Sequence, residues 1–260
     1  MNRSITKVCC IILLVVAATS VLTSIPTRAE GTPAATQDVP SQKVKIKASD
    51  GLDLVGLFYP VVGGKAPAVL LLHDGVSTKE QWLPYVPSFT RAGYNVLVVD
   101  QRGMGETGLG TPAKSGGPEL HDQDVLAMAA WLRQQSTVDG NPVALIGTRL
   151  GANYAIRACA IDDQCHTVIA LTPSTDFFGV KTVESIKAMT KDKSLFMIAG
   201  QIGESGAISM KQLYAAASNN INIMTRIYGL DFKFGTDLFD EDPNLMPMVL
   251  LWLNTYNHSS

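Results

Sequence analysis

Five short apolar segments after residue 67 constrain the fold more than any other feature of the sequence. Apolar and polar residues do not alternate within them, which is typical of parallel strands buried on both faces. Between them lie helical patterns, such as Val125, Met128, Ala129 and Leu132 in one segment. Strands that alternate with helices predict an α/β protein with a doubly wound, mostly parallel sheet. The five segments are Ala68–Leu72, Val96–Val99, Val143–Ile146, Thr167–Leu171 and Leu195–Ala199.

The residues before this region have a different pattern. Lys43–Lys47 alternates between charged and apolar residues, and Leu52–Tyr59 follows a turn at Ser49–Gly51. One polar and one apolar face are typical of antiparallel strands with one side in solvent. We therefore expect a hairpin of edge strands at the start of the domain.

The N-terminus resembles a secretory signal. Arg3 and Lys7 precede the apolar segment Val8–Ala18, and small residues lead to Ala29. This pattern predicts a signal peptide over 1–29, a linker over 30–42, a domain over 43–256 and a tail over 257–260. An uncleaved membrane anchor is the alternative, although the apolar segment is shorter than the roughly 20 residues of a spanning helix. Export would place the protein outside the cell, in a periplasm or in the cell envelope.

The amino-acid composition and charge limit the kinds of binding partner that we expect. The 260 residues are 46% apolar and 17% charged, with a formal net charge of −2, as in an ordinary globular protein. Three of the 21 basic residues would leave with the signal, so that 18 would remain against 23 acidic ones. This charge gives no reason to expect a nucleic-acid partner or an anionic membrane surface.

Two cysteines remain after the predicted cleavage, Cys159 and Cys165. In an oxidising compartment such a pair favours a disulfide, here around a short surface turn between a helix and a strand. Two buried thiols are the alternative.

The segment from Val143 to Ala152 contains a glycine-rich elbow. An apolar strand ends at Gly147, Gly151 follows four residues later, and a helical pattern then begins. This segment resembles the G-x-S-x-G nucleophile elbow of the α/β-hydrolase family, in which a sharp turn presents a catalytic serine. In this chain Arg149 stands at the serine position.

Further segments in the family's order strengthen the resemblance, which covers residues 43 to 256 and is nearest to cap-less members similar to dienelactone hydrolases and serine aminopeptidases. Leu70–Gly75 resembles the strand and His-Gly loop of the oxyanion hole, and Asp100–Thr107 resembles a D-x-R-G-x-G-x-S loop. Gly229–Phe239 and the helix that ends at Leu253 resemble the histidine loop and the last helix. The resemblance implies about eight strands, and the short helical segment Glu184–Met189 implies little or no cap.

The resemblance also implies where a Ser-His-acid triad would lie. Arg149 takes the nucleophile position, Gly203 the acid position and Phe234 the histidine position. A guanidinium stays protonated, and neither a glycine nor a phenylalanine transfers protons, so the triad is degenerate and we assign no catalytic residue. Glu204 is a partial substitute for the acid, and Ser174 and Ser205 are weak substitute nucleophiles.

None of the four histidines takes the position of the missing base. His73 fits a structural position beside the oxyanion strand, and His121 opens a helix. His166 lies near the predicted disulfide and His258 lies in the tail.

Asp74 stands where the family has a glycine in the oxyanion loop. A carboxylate there opposes an oxyanion, and Arg149 at a helix N-terminus is disfavoured by the helix dipole. Because these two loops face one another in the family, we predict an Asp74–Arg149 ion pair, with Glu204 as second-choice partner. An arginine that points into solvent over a collapsed cleft is the alternative.

Three functions remain. The first is a non-catalytic exported protein that binds a small anionic ligand or a protein partner, with Arg149, Asp74, Gly75, Leu150 and Glu204 as candidate contacts. The second is an active ester or peptide hydrolase that uses other residues, and the third is a structural protein of the cell envelope. No residue spacing indicates a metal site or an organic cofactor.

Overall fold

The computed structural model describes residues 40–108, 116–201, 206–217, 221–229 and 233–257, with the backbone only at 140–142. The described residues belong to one compact unit, Gln37–Ser260. The predicted signal peptide, linker residues 30–39 and tail residues 258–260 lie outside the described residues. No helix in the described part of the chain combines the length and apolar character needed to cross a membrane.

Ten strands and seven α-helices are found in the described ranges. The strands are β1 (Gln42–Lys47), β2 (Asp53–Tyr59), β3 (Ala66–Leu72), β4 (Asn95–Val99), β5 (Val138–Thr148), β6 (Thr167–Leu171), β7 (Asp176–Phe177), β8 (Val180–Lys181), β9 (Ser194–Gly200) and β10 (Asn222–Tyr228). The helices are α1 (Val86–Arg91), α2 (Pro118–Arg133), α3 (Leu150–Ile161), α4 (Val183–Ala188), α5 (Ala207–Ala216), α6 (Leu238–Glu241) and α7 (Leu245–Tyr256). Short 3-10 helices lie at Lys79–Trp82, Gly105–Thr107 and Gly235–Asp237.

Eight strands form one sheet in the order β1-β2-β4-β3-β5-β6-β9-β10. The pairs β1–β2 and β2–β4 are antiparallel, and every other pair in this sheet is parallel. The doubly wound parallel sheet of about eight strands and the N-terminal edge hairpin are therefore confirmed. The first strand begins at Gln42, the last residue of the predicted linker, and β10 has no counterpart among the predicted strands.

Both faces of the sheet are buried, which explains why the central strands lack alternation. Leu70 and Leu72 of β3 pack into a core with α2 and α3, whereas Val69 and Leu71 pack into a second core with α1 and α7. Parallel sheets require helices on both faces in this way. The connection from β6 to β9 holds only the β7–β8 hairpin and α4, so no cap domain is inserted in that connection.

The predicted disulfide is present between Cys159, near the end of α3, and Cys165, just before β6. Lys193 fixes the enclosed loop, since its Nζ donates hydrogen bonds to the carbonyl oxygens of Asp162 and Cys165, each at 2.9 Å. Burial lowers the pKa of the Lys193 ammonium. The loop thus ties the helix that follows the elbow to the next strand of the sheet.

Candidate functional site

Arg149 forms the turn between β5 and α3. Its φ of 48° and ψ of −108° are sparsely populated for a residue that carries a Cβ atom. A Cβ atom added to Gly147 would lie 2.2 Å from the Gly151 carbonyl oxygen, and one on Gly151 would lie 2.4 Å from the His73 carbonyl oxygen. The two glycines therefore permit the close approach of strand, helix and oxyanion loop, and the elbow geometry is present with Arg149 at its apex.

The predicted ion pair between Arg149 and Asp74 is confirmed. Nη1 of Arg149 donates to Oδ2 of Asp74 at 2.8 Å, which excludes the alternative of an arginine that points only into solvent. The Asp74 side chain is 5% exposed and that of Arg149 is 27% exposed, so one partner is buried and the other reaches the surface. Among the described residues, Asp74 is the hydrogen-bond partner of this guanidinium.

The other oxygen of Asp74 binds the loop that would supply an oxyanion hole. Oδ1 accepts the backbone N–H of Gly75 at 2.7 Å, and the backbone N–H of Asp74 itself donates to Gln81 Oε1 at 2.9 Å. In the α/β-hydrolase fold this loop provides one donor to the oxyanion and the residue after the nucleophile provides the other. The carboxylate therefore takes up a donor that an oxyanion would need, and adds a negative charge beside it.

Two aromatic rings flank the Arg149 guanidinium. Its central carbon lies 4.6 Å from the ring centroid of Phe234 and 4.9 Å from that of Phe177. Both distances are within the range of cation–π attraction. Phe234 was expected at the histidine position, and the fold brings it beside the elbow as the resemblance implies. We did not predict Phe177 as a site residue. The sequence Phe177-Phe178-Gly179 does place a turn-forming glycine after two aromatic residues.

A two-residue hairpin positions Phe177. The turn residues Phe178 and Gly179 have φ of 50° and 84°, and two positive values are typical of a type I′ turn. Asn153 of α3 holds the hairpin, because its Nδ2 donates to the Val180 carbonyl at 2.8 Å and its Oδ1 accepts the Ser174 N–H at 3.0 Å. The elbow helix and the hairpin are thus fixed to one another.

The other predicted site residues have different outcomes. Gly203, Glu204 and Ser205 lie outside the described residues. Ser174 is 2% exposed and its Oγ donates to the Asp176 carbonyl at 2.9 Å, so its hydroxyl is engaged in holding the hairpin. Leu150 begins α3 directly after Arg149, and a Cβ atom on Gly75 would lie 2.5 Å from Leu150 Cδ2. Gly75 and Leu150 are therefore in close contact beside the ion pair.

His73 is buried and holds two loops together. Its Nε2 accepts the backbone N–H of Gln101 at 2.9 Å, so Nδ1 carries the proton and donates to the Asp74 carbonyl at 2.6 Å. Burial lowers the pKa of His73, because a charged imidazole would be desolvated there. The ring therefore has the structural position predicted for it.

The loop that resembles D-x-R-G-x-G is held by buried charges. Asp100 accepts a hydrogen bond from Lys79 Nζ at 2.7 Å, and Arg102 forms a fork with Asp124 at 2.7 and 2.8 Å. Burial alone would lower the pKa of Lys79, but hydrogen bonds from its ammonium to carboxylates, Asp100 among them, raise it above its ordinary value. A Cβ atom on Gly105 would lie 2.3 Å from the Asp100 carboxyl carbon, so the glycine leaves room for this carboxylate.

A cleft of about 190 Å³ lies beside the elbow, next to Gly75 and Leu150. Its wall includes polar groups of the oxyanion and Asp100–Thr107 loops, the His121 ring of α2, and apolar groups of α3 and the hairpin. Within the described ranges, no three His, Cys, Asp or Glu side chains are grouped as a metal site requires. The residues that line the cleft are His73, Gly75, Gln101, Arg102, Met104, His121, Leu150, Tyr154, Phe178 and Val180.

Comparison with known proteins finds a family and structures that share this fold. The model of the "Alpha/beta hydrolase family" matches residues 69–257. The chain is 30% identical over 175 residues to the polyketide transferase ATR5 of Stachybotrys chlorohalonatus, covering 64% of this chain and 58% of that protein. It is 24% identical over 176 residues to the acyltransferase drtE of Aspergillus calidoustus, covering 67% and 54%. The esterase Pf2001 of Pyrococcus furiosus superposes with a TM-score of 0.71 and 18% identity, over 85% of this chain and 94% of that structure.

This chain belongs to the alpha/beta hydrolase family. It spans only about half the length of the two transferase relatives. At 18% identity, the similarity to the esterase structure shows a shared fold only.

Proposed function

We propose that this protein is an exported, non-hydrolytic member of its family that binds a small anionic ligand or a protein partner at the elbow. One observation carries the proposal: the apex of the elbow holds a guanidinium that is paired with Asp74 and flanked by two phenylalanine rings. Acyl transfer needs a nucleophile and a proton-transfer group at these positions. Neither Arg149 nor Phe234 supplies one.

The arginine also supports binding. Its side chain is partly exposed, and among the described residues only Asp74 is hydrogen-bonded to it, through one nitrogen atom. A guanidinium with further N–H groups offers a planar edge to a carboxylate or phosphate. Asp74 neutralises much of the charge, so we expect recognition through hydrogen bonds and ring contacts more than through long-range attraction. A protein partner with an exposed acidic side chain satisfies the same donors.

Ester hydrolysis tests the non-hydrolytic part. Purified protein is assayed on short-chain nitrophenyl esters beside Arg149→Ala and the double variant Arg149→Ser, Phe234→His. We expect no turnover above background for the wild type and for Arg149→Ala. Wild-type turnover that is absent from Arg149→Ala would overturn the proposal. The double variant tests whether the elbow still presents a serine in a usable position.

The binding part needs a different measurement. Thermal unfolding is recorded with millimolar phosphate and with succinate, for the wild type, for Arg149→Ala and for Arg149→Lys. We expect stabilisation of the wild type that is lost in Arg149→Ala and reduced in Arg149→Lys, because lysine lacks the planar fork. Equal stabilisation of all three proteins would show that the anions act elsewhere. No stabilisation of any protein would favour the structural role in the cell envelope.

Hydrolysis or acyl transfer through another residue is the second candidate, because two relatives are named as transferases and one structural neighbour as an esterase. Ser174 is a poor nucleophile in this fold, since its hydroxyl is buried and donates to a backbone carbonyl. The same ester assay tests this candidate, which predicts wild-type turnover that persists in Arg149→Ala, and that result would equally overturn the non-hydrolytic proposal.

Export is supported by the signal-like N-terminus and by the disulfide. Mass spectrometry of the protein recovered from its native host tests it. We expect a mature chain that begins at Glu30, whereas a chain that retains residues 1–29 would indicate an anchor.

A further inference from the structure

The cleft beside the elbow presents mainly ring and apolar surface. Half of the ten lining residues are apolar or aromatic: Met104, Leu150 and Tyr154 of α3, and Phe178 and Val180 of the hairpin region. The His121 ring lies parallel to the Tyr154 ring, at 4.8 Å between centroids and 3° between planes. Flat surfaces of this kind favour stacking with another ring.

Three polar side chains in the wall, those of His73, Gln101 and Arg102, are already hydrogen-bonded within the protein. Both ring nitrogens of His73 are hydrogen-bonded, and Gln101 Nε2 donates to the His73 carbonyl at 2.5 Å. The Arg102 guanidinium donates two hydrogen bonds to the Asp124 carboxylate and also donates to Asp50 at 2.7 Å. Arg149 is not among the residues that line the cleft. A charged ligand group placed there would lose its hydration without gaining an opposite charge of its own.

Phe178 is exposed at the rim of this cleft. Its side chain is 85% exposed, although it belongs to a strained turn with a positive φ at a non-glycine residue. A single exposed apolar residue is common at protein surfaces, but Phe178 also lines the cleft, so its ring is placed to contact a ligand held there. The hairpin is fixed by Asn153, so Phe178 is presented beside the cleft by a rigid support.

The volume of the cleft limits the size of the ligand that it can hold. At about 190 Å³ the cleft is smaller than most drug-sized pockets, which are roughly 300 Å³ or more. A cavity of about 150 Å³ accommodates benzene. The space therefore fits one six-membered ring with one or two small substituents.

We propose that this cleft binds a small uncharged ring compound, with Phe178 covering it and the His121–Tyr154 pair forming part of its wall. The inference goes beyond the proposed function, because it concerns a neutral ligand in the adjacent cleft, which shares Gly75 and Leu150 with the elbow site but is not lined by Arg149 or Asp74. It also does not depend on whether the elbow is catalytically inactive.

Binding of benzyl alcohol, benzoate and glycerol by ligand-observed NMR tests the inference. Benzyl alcohol and benzoate share the ring and differ in charge, and glycerol has neither. We expect benzyl alcohol to bind at about millimolar affinity, at least about tenfold more tightly than benzoate, and glycerol not to bind. Tighter binding of benzoate, lost in Arg149→Ala, would place the ring compound at the arginine and overturn the inference.

Three variants locate the site. Phe178→Ala removes an exposed ring and should weaken benzyl alcohol binding about fivefold to tenfold with little effect on folding. Met104→Trp fills the cleft and should abolish binding, with circular dichroism as the check on its fold. Ile208→Ala, at another exposed apolar side chain 72% accessible to solvent, is the matched control and should bind normally. Unchanged affinity in both Phe178→Ala and a folded Met104→Trp would overturn the inference.

The results separate the two proposals. Wild-type ester hydrolysis together with Phe178-dependent binding of benzyl alcohol refutes the non-hydrolytic function and supports the ring site. Absence of both hydrolysis and benzyl alcohol binding refutes the ring site and leaves the proposed function in place.

Discussion

The guanidinium of Arg149 lies 4.6 Å from the centre of the Phe234 ring. In the family's arrangement these two positions would hold the nucleophile and its base, which must exchange a proton. Here they hold a cation and a ring that attracts it. The two residues are in contact, and the contact between them is a cation–π interaction.

The first prediction concerns backbone strain at Arg149. Both Arg149→Ala and Arg149→Gly remove the ion pair, but only glycine relaxes the backbone at φ 48°. After allowing for the greater freedom of glycine in the unfolded chain, we expect Arg149→Gly to be more stable than Arg149→Ala by about 1 kcal/mol. Urea unfolding measures the difference, and an equal or lower stability of the glycine variant would contradict it.

The second prediction concerns the strength of the Asp74–Arg149 pair. A double-mutant cycle with Asp74→Ala and Arg149→Ala should give a coupling free energy of about 1 to 2 kcal/mol, because Asp74 is buried and Arg149 only partly so. The exposed pair Glu184–Lys187 is the matched control, and its coupling should be about 0.3 kcal/mol. Similar couplings for the two pairs would argue that the elbow pair is no stronger than a surface contact.

The third prediction concerns pH. His73 has a lowered pKa in the folded protein, so below about pH 6.5 the unfolded chain binds a proton that the folded chain does not. Stability should therefore fall as the pH is lowered from about 6.5, with a slope of at most about 1.4 kcal/mol per pH unit from this residue. The slope between pH 6.5 and 5.5 should be smaller in His73→Asn, whatever that variant's absolute stability.

His166→Asn is the control for the pH experiment. His166 is partly exposed and lies near Asp192, with 3.4 Å between its Nδ1 and a carboxylate oxygen. A wild-type slope in His166→Asn, together with a reduced slope in His73→Asn, would assign the pH effect to His73. If the slope were lost in His166→Asn and retained in His73→Asn, the pH effect would come from His166 and the prediction would be wrong.

The fourth prediction concerns the disulfide. Cys159 and Cys165 are six residues apart, and a loop this short gives a stabilisation of about 2 kcal/mol by loop closure. Reduction by dithiothreitol should lower the free energy of unfolding by this amount. The variant Cys159→Ala, Cys165→Ala should be equally destabilised and should no longer respond to the reductant. A response of the double variant would mean that the reductant acts on something else.

The sequence predicted the sheet and the elbow well, because both depend on local patterns. Apolar segments without alternation indicate buried strands, and Gly147 and Gly151 mark a turn that larger residues would obstruct. The hairpin that carries Phe177 was missed, since two strands of two residues each have no measurable periodicity. The strand β10 was missed as well, because its residues are mostly half-exposed and resemble no buried segment.

The candidate site was predictable only in part. The sequence identified Arg149, Asp74 and Phe234 because their side chains cannot perform the chemistry that those positions serve in the family. Phe178, His121 and Tyr154 were not predicted as neighbours, because they come from a hairpin and two helices far apart in the chain. No local sequence pattern predicts that residues from such distant elements lie together.

The sequence alone determined the type of sheet and the presence of an arginine at the apex of the elbow. Both follow from properties that a residue carries with it, such as hydrophobicity, pKa and the absence of a Cβ atom. Only the tertiary structure decided which groups meet Arg149. Asp74 lies 75 residues away in sequence, and the adjacent parallel strands β3 and β5 bring the two carboxyl-terminal ends together. Electrostatic attraction and ring contacts act over a few ångströms, so the fold and not the order of residues selects the partners.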